Sequence, residues 1–374
     1  MRRFLILILF AWPSMVVFAQ GGLIDSAISK NYYTLKPVEN SHHFIGEGWE
    51  VLLREIKKSN SVLIGETHFT KEVPYFANAV IDEVRFDNYF HEIDPYTNRI
   101  IANKINKLSP EKLKGFVSEY NSSFSFLERE DDFKLFEKIV GSGIQTFGVE
   151  QISLSADRLI VSGLAATTKN EKARKIYVQM IQNSAELAAI DKDNKYLFSE
   201  DFLSKISSLL KLQLSEKEKK QIEALKISRE IYLTGNHHRR IQLMKNILLE
   251  EMPSWTNKKN LFKFGAFHTP KGESLMEIYD IGNLVFNIED SNLRNALHIM
   301  IVGKNVTETI EDLKMYESFL KAVNNEDWYC FNLRPLQNLI SKNRLTIENQ
   351  TLLRIIKGND FLIYVPRFTE SQKT

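Results

Sequence analysis

One cysteine among 374 residues rules out an internal disulfide, and with it any disulfide-stapled miniprotein. Glycine (16) and proline (9) are sparse, and no repeat, low-complexity tract or evident linker interrupts the chain, which excludes collagen-like and disordered classes. An excess of either charge is also missing. The 49 basic residues, less Arg2 and Arg3 in a segment expected to be removed, leave 47 against 47 acidic ones. Such a balance argues against general nucleic-acid or anionic-membrane binding, which needs a basic face. No apolar run reaches the roughly 20 residues that span a bilayer, and the short spacing of HExxH zinc helices is absent. What remains, 43% hydrophobic and 26% charged, is an ordinary globular composition. It is long enough to bury one large or two modest cores.

The first residues read as an export signal. Met1-Arg2-Arg3 is basic, Phe4 to Trp12 is continuously apolar and stops at Pro13, and Val17-Phe18-Ala19 offers small residues at a cleavage site. Residues 1–19 are expected to be cleaved, leaving a mature chain of 20–374 in a periplasmic or extracellular location. No cysteine lies near the cut to take a lipid, so no membrane anchor is expected. Cys330, between Tyr329 and Phe331, reads as a buried structural thiol rather than a nucleophile.

Apolar runs at Ser61–Ile64, Tyr89–Ile93, Thr146–Val149, Leu261–Phe264, Leu284–Ile288 and Phe361–Val365 lack strict alternation, as strands buried on both faces do. Helix-like stretches separate them. The expectation is an α/β fold, a mostly parallel or mixed central sheet flanked by helices, in a single domain. A strand-poor stretch at about 155–250, with Leu209, Leu212, Ile222 and Leu225 at helical spacing, reads as a helical insertion. Its charge run Ser215–Lys220 is a solvated face. The stretch after 290 is legible only in its terminal strand.

Two strand ends carry histidine. Ser61–Ile64 runs into Gly65-Glu66-Thr67-His68, and Leu261–Phe264 into Gly265-Ala266-Phe267-His268. Ligands collect at the carboxyl ends of strands in open α/β sheets, and Gly65 permits a tight turn there. Glu66 and His68, two apart, share a face if the backbone stays extended, an arrangement that orients an imidazole as a general base or offers two metal ligands. Two such devices on separate strands point to one shared cleft. Between them, Glu92 in Asn88–Pro95 sits where burial is expected and needs a partner or a metal; a structural salt bridge to an arginine accounts for it equally well. Glu150, at the end of Phe147-Gly148-Val149, is a weaker candidate of the same kind.

The segment Asn236-His237-His238-Arg239-Arg240 begins a helix whose apolar stripe is Ile241, Met244, Ile247 and Leu248. That stripe directs Arg240, not Arg239 or His238, toward the sheet. There a guanidinium binds a substrate carboxylate, holds Glu92 or stabilises an oxyanion. His42 and His43 read as surface residues and His91 as a packed one.

With these residues in hand, the chain resembles the erythromycin esterase, ChaN and TIKI superfamily. The resemblance rests on Gly65–His68, Glu92, the Arg240–Met244 helix continuing to Asn246, and Gly265–His268, a set spread over about 45–290. It implies a sheet flanked by helices with a cleft at strand ends. In the esterase branch it implies that His68 activates water, with Glu66, Glu92 and His268 around it. In the TIKI branch it implies a divalent metal for peptide cleavage, and in the ChaN branch haem or iron uptake. The chain departs from the esterase pattern in the Glu-to-His spacing and in Ile241 after the helix arginine, and from ChaN in lacking a lipoprotein cysteine. Macrolide resistance is therefore not the expectation.

The expected function is a secreted hydrolase cleaving an ester or amide bond of a small-molecule or peptide substrate. His68 takes a proton from water, Glu66 fixes its tautomer, Arg240 steadies the oxyanion and His268 assists the leaving group. A metal version has His68, His268 and Glu92 as ligands to Zn, Mn or Co. The alternatives are a haem- or iron-binding protein without turnover and a scaffold that has lost activity.

Overall fold

Among the described residues nine segments are strands: β1 (Tyr32–Pro37), β2 (Phe44–Ile45), β3 (Ser61–Glu66), β4 (Asn88–His91), β5 (Gln145–Gly148), β6 (Asn260–Gly265), β7 (Ala296–Gly303), β8 (Trp328–Asn332) and β9 (Phe361–Val365). They form a mixed sheet flanked by helices, the expected α/β class. The structure is a computed structural model and describes residues 22–38, 41–190, 193–304, 316–324 and 326–373. The expected leader, residues 1–19, lies outside them. Among the described residues no helix is long and apolar enough to cross a membrane.

The chain gathers into two units, one comprising the chain up to Arg85 with Phe264–Glu370, the other Phe86–Lys263 with the segment from Ser371. In the first, the strand order is β2-β1-β8-β9-β7-β3. β3 runs parallel to β7, and β7 to β9, while β8 and β1 add antiparallel pairs. β3 and β9 are buried along their whole length, which accounts for the apolar runs Val62–Ile64 and Phe361–Val365. Cys330 on β8 is fully buried, and that burial pushes its thiol well above the usual range, consistent with an inert structural role.

In the second unit β4 runs parallel to both β5 and β6. Register is marked by a ladder in which Phe90 stacks on Phe147 at 4.7 Å and on Phe262 at 4.4 Å. Helices Asp157–Thr167, Glu171–Ile190, Glu200–Leu210, Glu216–Thr234 and His237–Glu250 follow. They bury Ile160, Leu164, Tyr177, Phe202, Ile206 and Leu225 in one cluster. The charge run at 215–220 starts the fourth of these helices, where Ser215 and Glu218 form a capping box.

Two readings of the sequence need correction. Leu284–Ile288 is not a strand but the middle of the helix Ile281–Ser291. Its fully buried positions Ile281, Val285 and Glu289 fall every four residues, a helical period that a short apolar run conceals. The stretch after 290 contributes β7 and β8 as well as β9, and β7 lies directly beside β3. In addition β4 stops at His91, so Glu92 follows the strand instead of lying within it.

Candidate functional site

In the first unit β3 delivers Glu66 and His68 as its period-two geometry requires. Glu66 Oε1 lies 3.0 Å from His68 Nδ1. The Glu66 side chain is 4% exposed and that of His68 30%, so the carboxylate is buried behind a ring that solvent reaches. Directly after it Phe69 adopts φ 66°, a left-handed conformation rare for a bulky residue. Strain of this kind turns the chain sharply just past the imidazole.

The second histidine-bearing turn lies against the first. Ala266 N donates to Glu66 O at 2.9 Å. A Cβ on Gly65 would stand 2.4 Å from Thr269 Oγ1 and 3.1 Å from Ala266 Cα. Glycine at 65 thus serves this close approach, whereas the sequence suggested a tight turn. In the second turn His268 N donates to Gly265 O at 2.8 Å, and His268 Nδ1 lies 2.9 Å from Asp280 Oδ2. Asp280 also caps the helix Ile281–Ser291, its Oδ1 accepting from Ile281 N at 2.6 Å. One carboxylate therefore caps a helix and orients a ring. Sequence reasoning missed Asp280 because it took the following residues for a strand, and an Asp just ahead of a helical stripe is the signal that finds it.

In the second unit Arg240 points inward as its stripe predicted, while Arg239 pairs with Glu230 at 2.8 Å on the surface. Arg240 Nη2 donates to Glu92 Oε1 at 2.7 Å, and Nε to both Glu150 oxygens at 3.0 Å. Glu92 and Glu150 are buried, and their approach depends on Gly148. A Cβ there would come within 2.5 Å of the Ile93 and Asp94 carbonyl oxygens. Burial raises the Glu150 carboxyl against the pull of Arg240; burial lowers the guanidinium, and the two carboxylates more than reverse that and hold it above its usual range. Glu150, the weaker candidate in the sequence, holds Arg240 as firmly as Glu92 does. These residues, with Ser125, Phe126, Gln151, Tyr232 and His237, line a cavity of about 380 Å³. Burial pushes the Tyr232 hydroxyl up to about 12, so it remains a donor there.

His91 is a packed residue, stacked on Phe136 at 4.9 Å with Nε2 2.8 Å from Asn98 Oδ1. His42 and His43 are exposed. Asp94 caps the helix Pro95–Lys107 through Tyr96 N and Thr97 N.

Among the described residues no group of three or more His, Cys, Asp or Glu is placed to hold a metal ion. In the expected ligand set His68 Nδ1 faces Glu66, His268 Nδ1 faces Asp280, and Glu92 accepts from Arg240. A carboxylate on Nδ1 leaves Nε2 of each ring to a ligand and is the usual outer partner of a metal-bound imidazole, whereas Glu92 is engaged by Arg240.

No family model and no curated protein matches the chain. Solved structures do. A mutant of erythromycin esterase EreC in its open conformation superposes with a TM-score of 0.59 at 11% identity, covering 91% of this chain and 98% of that one. A protein from Bacillus cereus gives 0.56 at 14%, covering 95% and 99%. A succinoglycan biosynthesis protein gives 0.55 at 13%, again covering 95% and 99%. The fold implied by the paired Gly-x-x-His motifs is therefore the fold observed. Haem-binding ChaN of Campylobacter jejuni reaches only 0.35 and carries no argument.

Proposed function

We propose that this chain is a hydrolase that activates water at the His68–Glu66 pair to cleave an ester or amide bond. The observation that carries this reading is a solvent-reached imidazole whose Nδ1 is held 3.0 Å from a buried carboxylate. Glu66 fixes the tautomer with the proton on Nδ1, leaving Nε2 as the base. Water gives its proton to Nε2 as its oxygen attacks the carbonyl carbon. The tetrahedral intermediate collapses when the leaving alcohol or amine takes a proton back. The second pair, His268–Asp280, joins a ring Nδ1 to a carboxylate in the same way but is buried, and its Nε2 relays the proton from His68 to the leaving group.

Arg240 has a different role in this reading from the one first assigned. A guanidinium engaged by two carboxylates has little charge left for an oxyanion, which supports its holding Glu92 in place. The likeness in fold to an erythromycin esterase supports hydrolysis as the class of reaction. The substrate is an ester or peptide-like amide met outside the cytoplasm, after removal of residues 1–19.

The test is steady-state hydrolysis of p-nitrophenyl acetate and of an N-acetylated amino-acid p-nitroanilide by the full chain and by Glu66→Gln. Turnover that falls by about 10²-fold in the variant is expected. Turnover equal in the two proteins removes Glu66 from the mechanism.

A further inference from the structure

The turn that bears His268 is fastened by more than Asp280. His268 O accepts from Gly282 N at 2.8 Å, and Lys271 N donates to Gly358 O at 2.8 Å. Between these points, the carbonyl of Thr269 is 2.7 Å from Nδ1 of His298. His298 stands on β7, wholly buried, with the Phe286 ring 6.0 Å away.

A carbonyl only accepts, so Nδ1 must carry the proton. His298 Nε2 has no hydrogen-bond partner. A proton there would be a buried charge with nothing to receive it, and burial pushes His298 down to about 4. The ring is thus fixed in one neutral tautomer that donates upward to the turn. Its own backbone is secured in turn: His298 N donates to Asp360 Oδ2 at 3.0 Å, and Asp360 N to His298 O at 2.8 Å. Burial alone would raise the Asp360 carboxyl. Lys271, 2.6 Å from Oδ1, and the backbone donor at His298 hold it below its usual range.

We propose that His298 is a positioning residue for His268. Its Nδ1–H, donated to the Thr269 carbonyl, sets the height and orientation of the turn, so that the His268 ring meets Asp280 and keeps the proton on its own Nδ1. An apolar residue would fill strand β7 better than a histidine with one unmatched nitrogen, and the donor to the turn is what the imidazole adds. The proposal rests on His268 taking part in hydrolysis for its kinetic consequence, but not for its structural one.

The experiment compares His298→Leu, His298→Asn and His298→Gln with the unaltered chain. Asn places an amide N–H close to where Nδ1 stands, and Gln places it at the Nε2 position. Two readouts are taken: the two-bond ¹⁵N–¹H pattern of the His268 imidazole, which reports its tautomer, and kcat and KM for p-nitrophenyl acetate. The Leu variant is expected to lose the single Nδ1–H pattern of His268 and about tenfold or more in kcat at a KM within about twofold, the mark of an effect on chemistry rather than binding. Asn is expected to restore both and Gln neither. A Leu variant with the native His268 pattern overturns the proposal, as does equal behaviour of Asn and Gln, which decides the matter even if the Leu protein fails to fold. If the unaltered chain does not hydrolyse the ester, the proposed function fails on its own. The ¹⁵N pattern still decides the role of His298.

Discussion

Asp280 stands 2.9 Å from His268 Nδ1 and, through its other oxygen, caps the helix Ile281–Ser291. The two tasks separate by substitution, because asparagine caps a helix as well as aspartate does but carries no charge to hold an imidazole. Asp280→Asn is expected to keep the thermal midpoint close to native while lowering kcat by about 10²-fold or more. Asp280→Ala is expected to lose the cap as well, at about 1 kcal/mol. Steady-state kinetics beside thermal melts check both; an Asn variant with native kcat removes the pair from the mechanism.

Arg240 pairs with two buried carboxylates, Glu92 and Glu150. Arg240→Ala removes the counter-charge that both share and is expected to cost about 3–5 kcal/mol in urea unfolding. Adding Glu150→Gln to it should recover part of that loss, since the two side chains touch and their effects are not additive. A cost below about 1 kcal/mol for the single variant contradicts a buried clamp.

Asp94 makes stability depend on pH in a defined direction. Burial pushes its carboxyl up to about 6 from an ordinary 3.8. An acid whose folded pKa is raised binds its proton more tightly when folded, so it disfavours folding where it is ionised, above about pH 6, and that penalty fades as the pH falls toward 4. Asp94→Asn keeps the cap on Tyr96 N and Thr97 N and removes the charge. It is expected to be more stable than the native chain at pH 7.5 by on the order of 1 kcal/mol, with the gap closing at pH 4. Denaturant unfolding across that range reads the gap, and a gap that widens on acidification has the wrong sign.

Gly65 is sized to its neighbour. Gly65→Ala drives a methyl into Thr269 Oγ1 and is expected to destabilise the chain by about 1–3 kcal/mol. Thr269→Ala in the same protein should return part of that cost. Independent, additive losses in the double variant contradict the close approach of the two turns.

The parts of the site that were legible in the sequence are those governed by local geometry. Glu66 and His68 pair because side chains two apart share a face, and Arg240 turns inward because its helix carries an apolar stripe on that side. Asp280 was hidden by a local ambiguity: the short run Leu284–Ile288, apolar but for Asn287, satisfies a buried strand and a helix segment alike, and only the helix makes a cap of the aspartate. The equal share of Glu150 could not be read at all, since it depends on Gly148 letting the end of β5 pack against the turn at Ile93 and Asp94, residues some fifty positions away. β7 went unseen in the stretch after 290, where His298 interrupts an otherwise apolar run, and that same histidine now has a partner in Thr269.

The central claim is that the His68 imidazole takes the proton from water. The most direct measurement is kcat/KM for p-nitrophenyl acetate by His68→Ala, followed from pH 5 to 9 beside the unaltered chain, with folding verified by circular dichroism. The account predicts a loss of about 10²-fold or more and disappearance of the rise in rate that accompanies deprotonation of an imidazole in the unaltered chain. Equal rates and the same pH profile in a folded His68→Ala protein would contradict it.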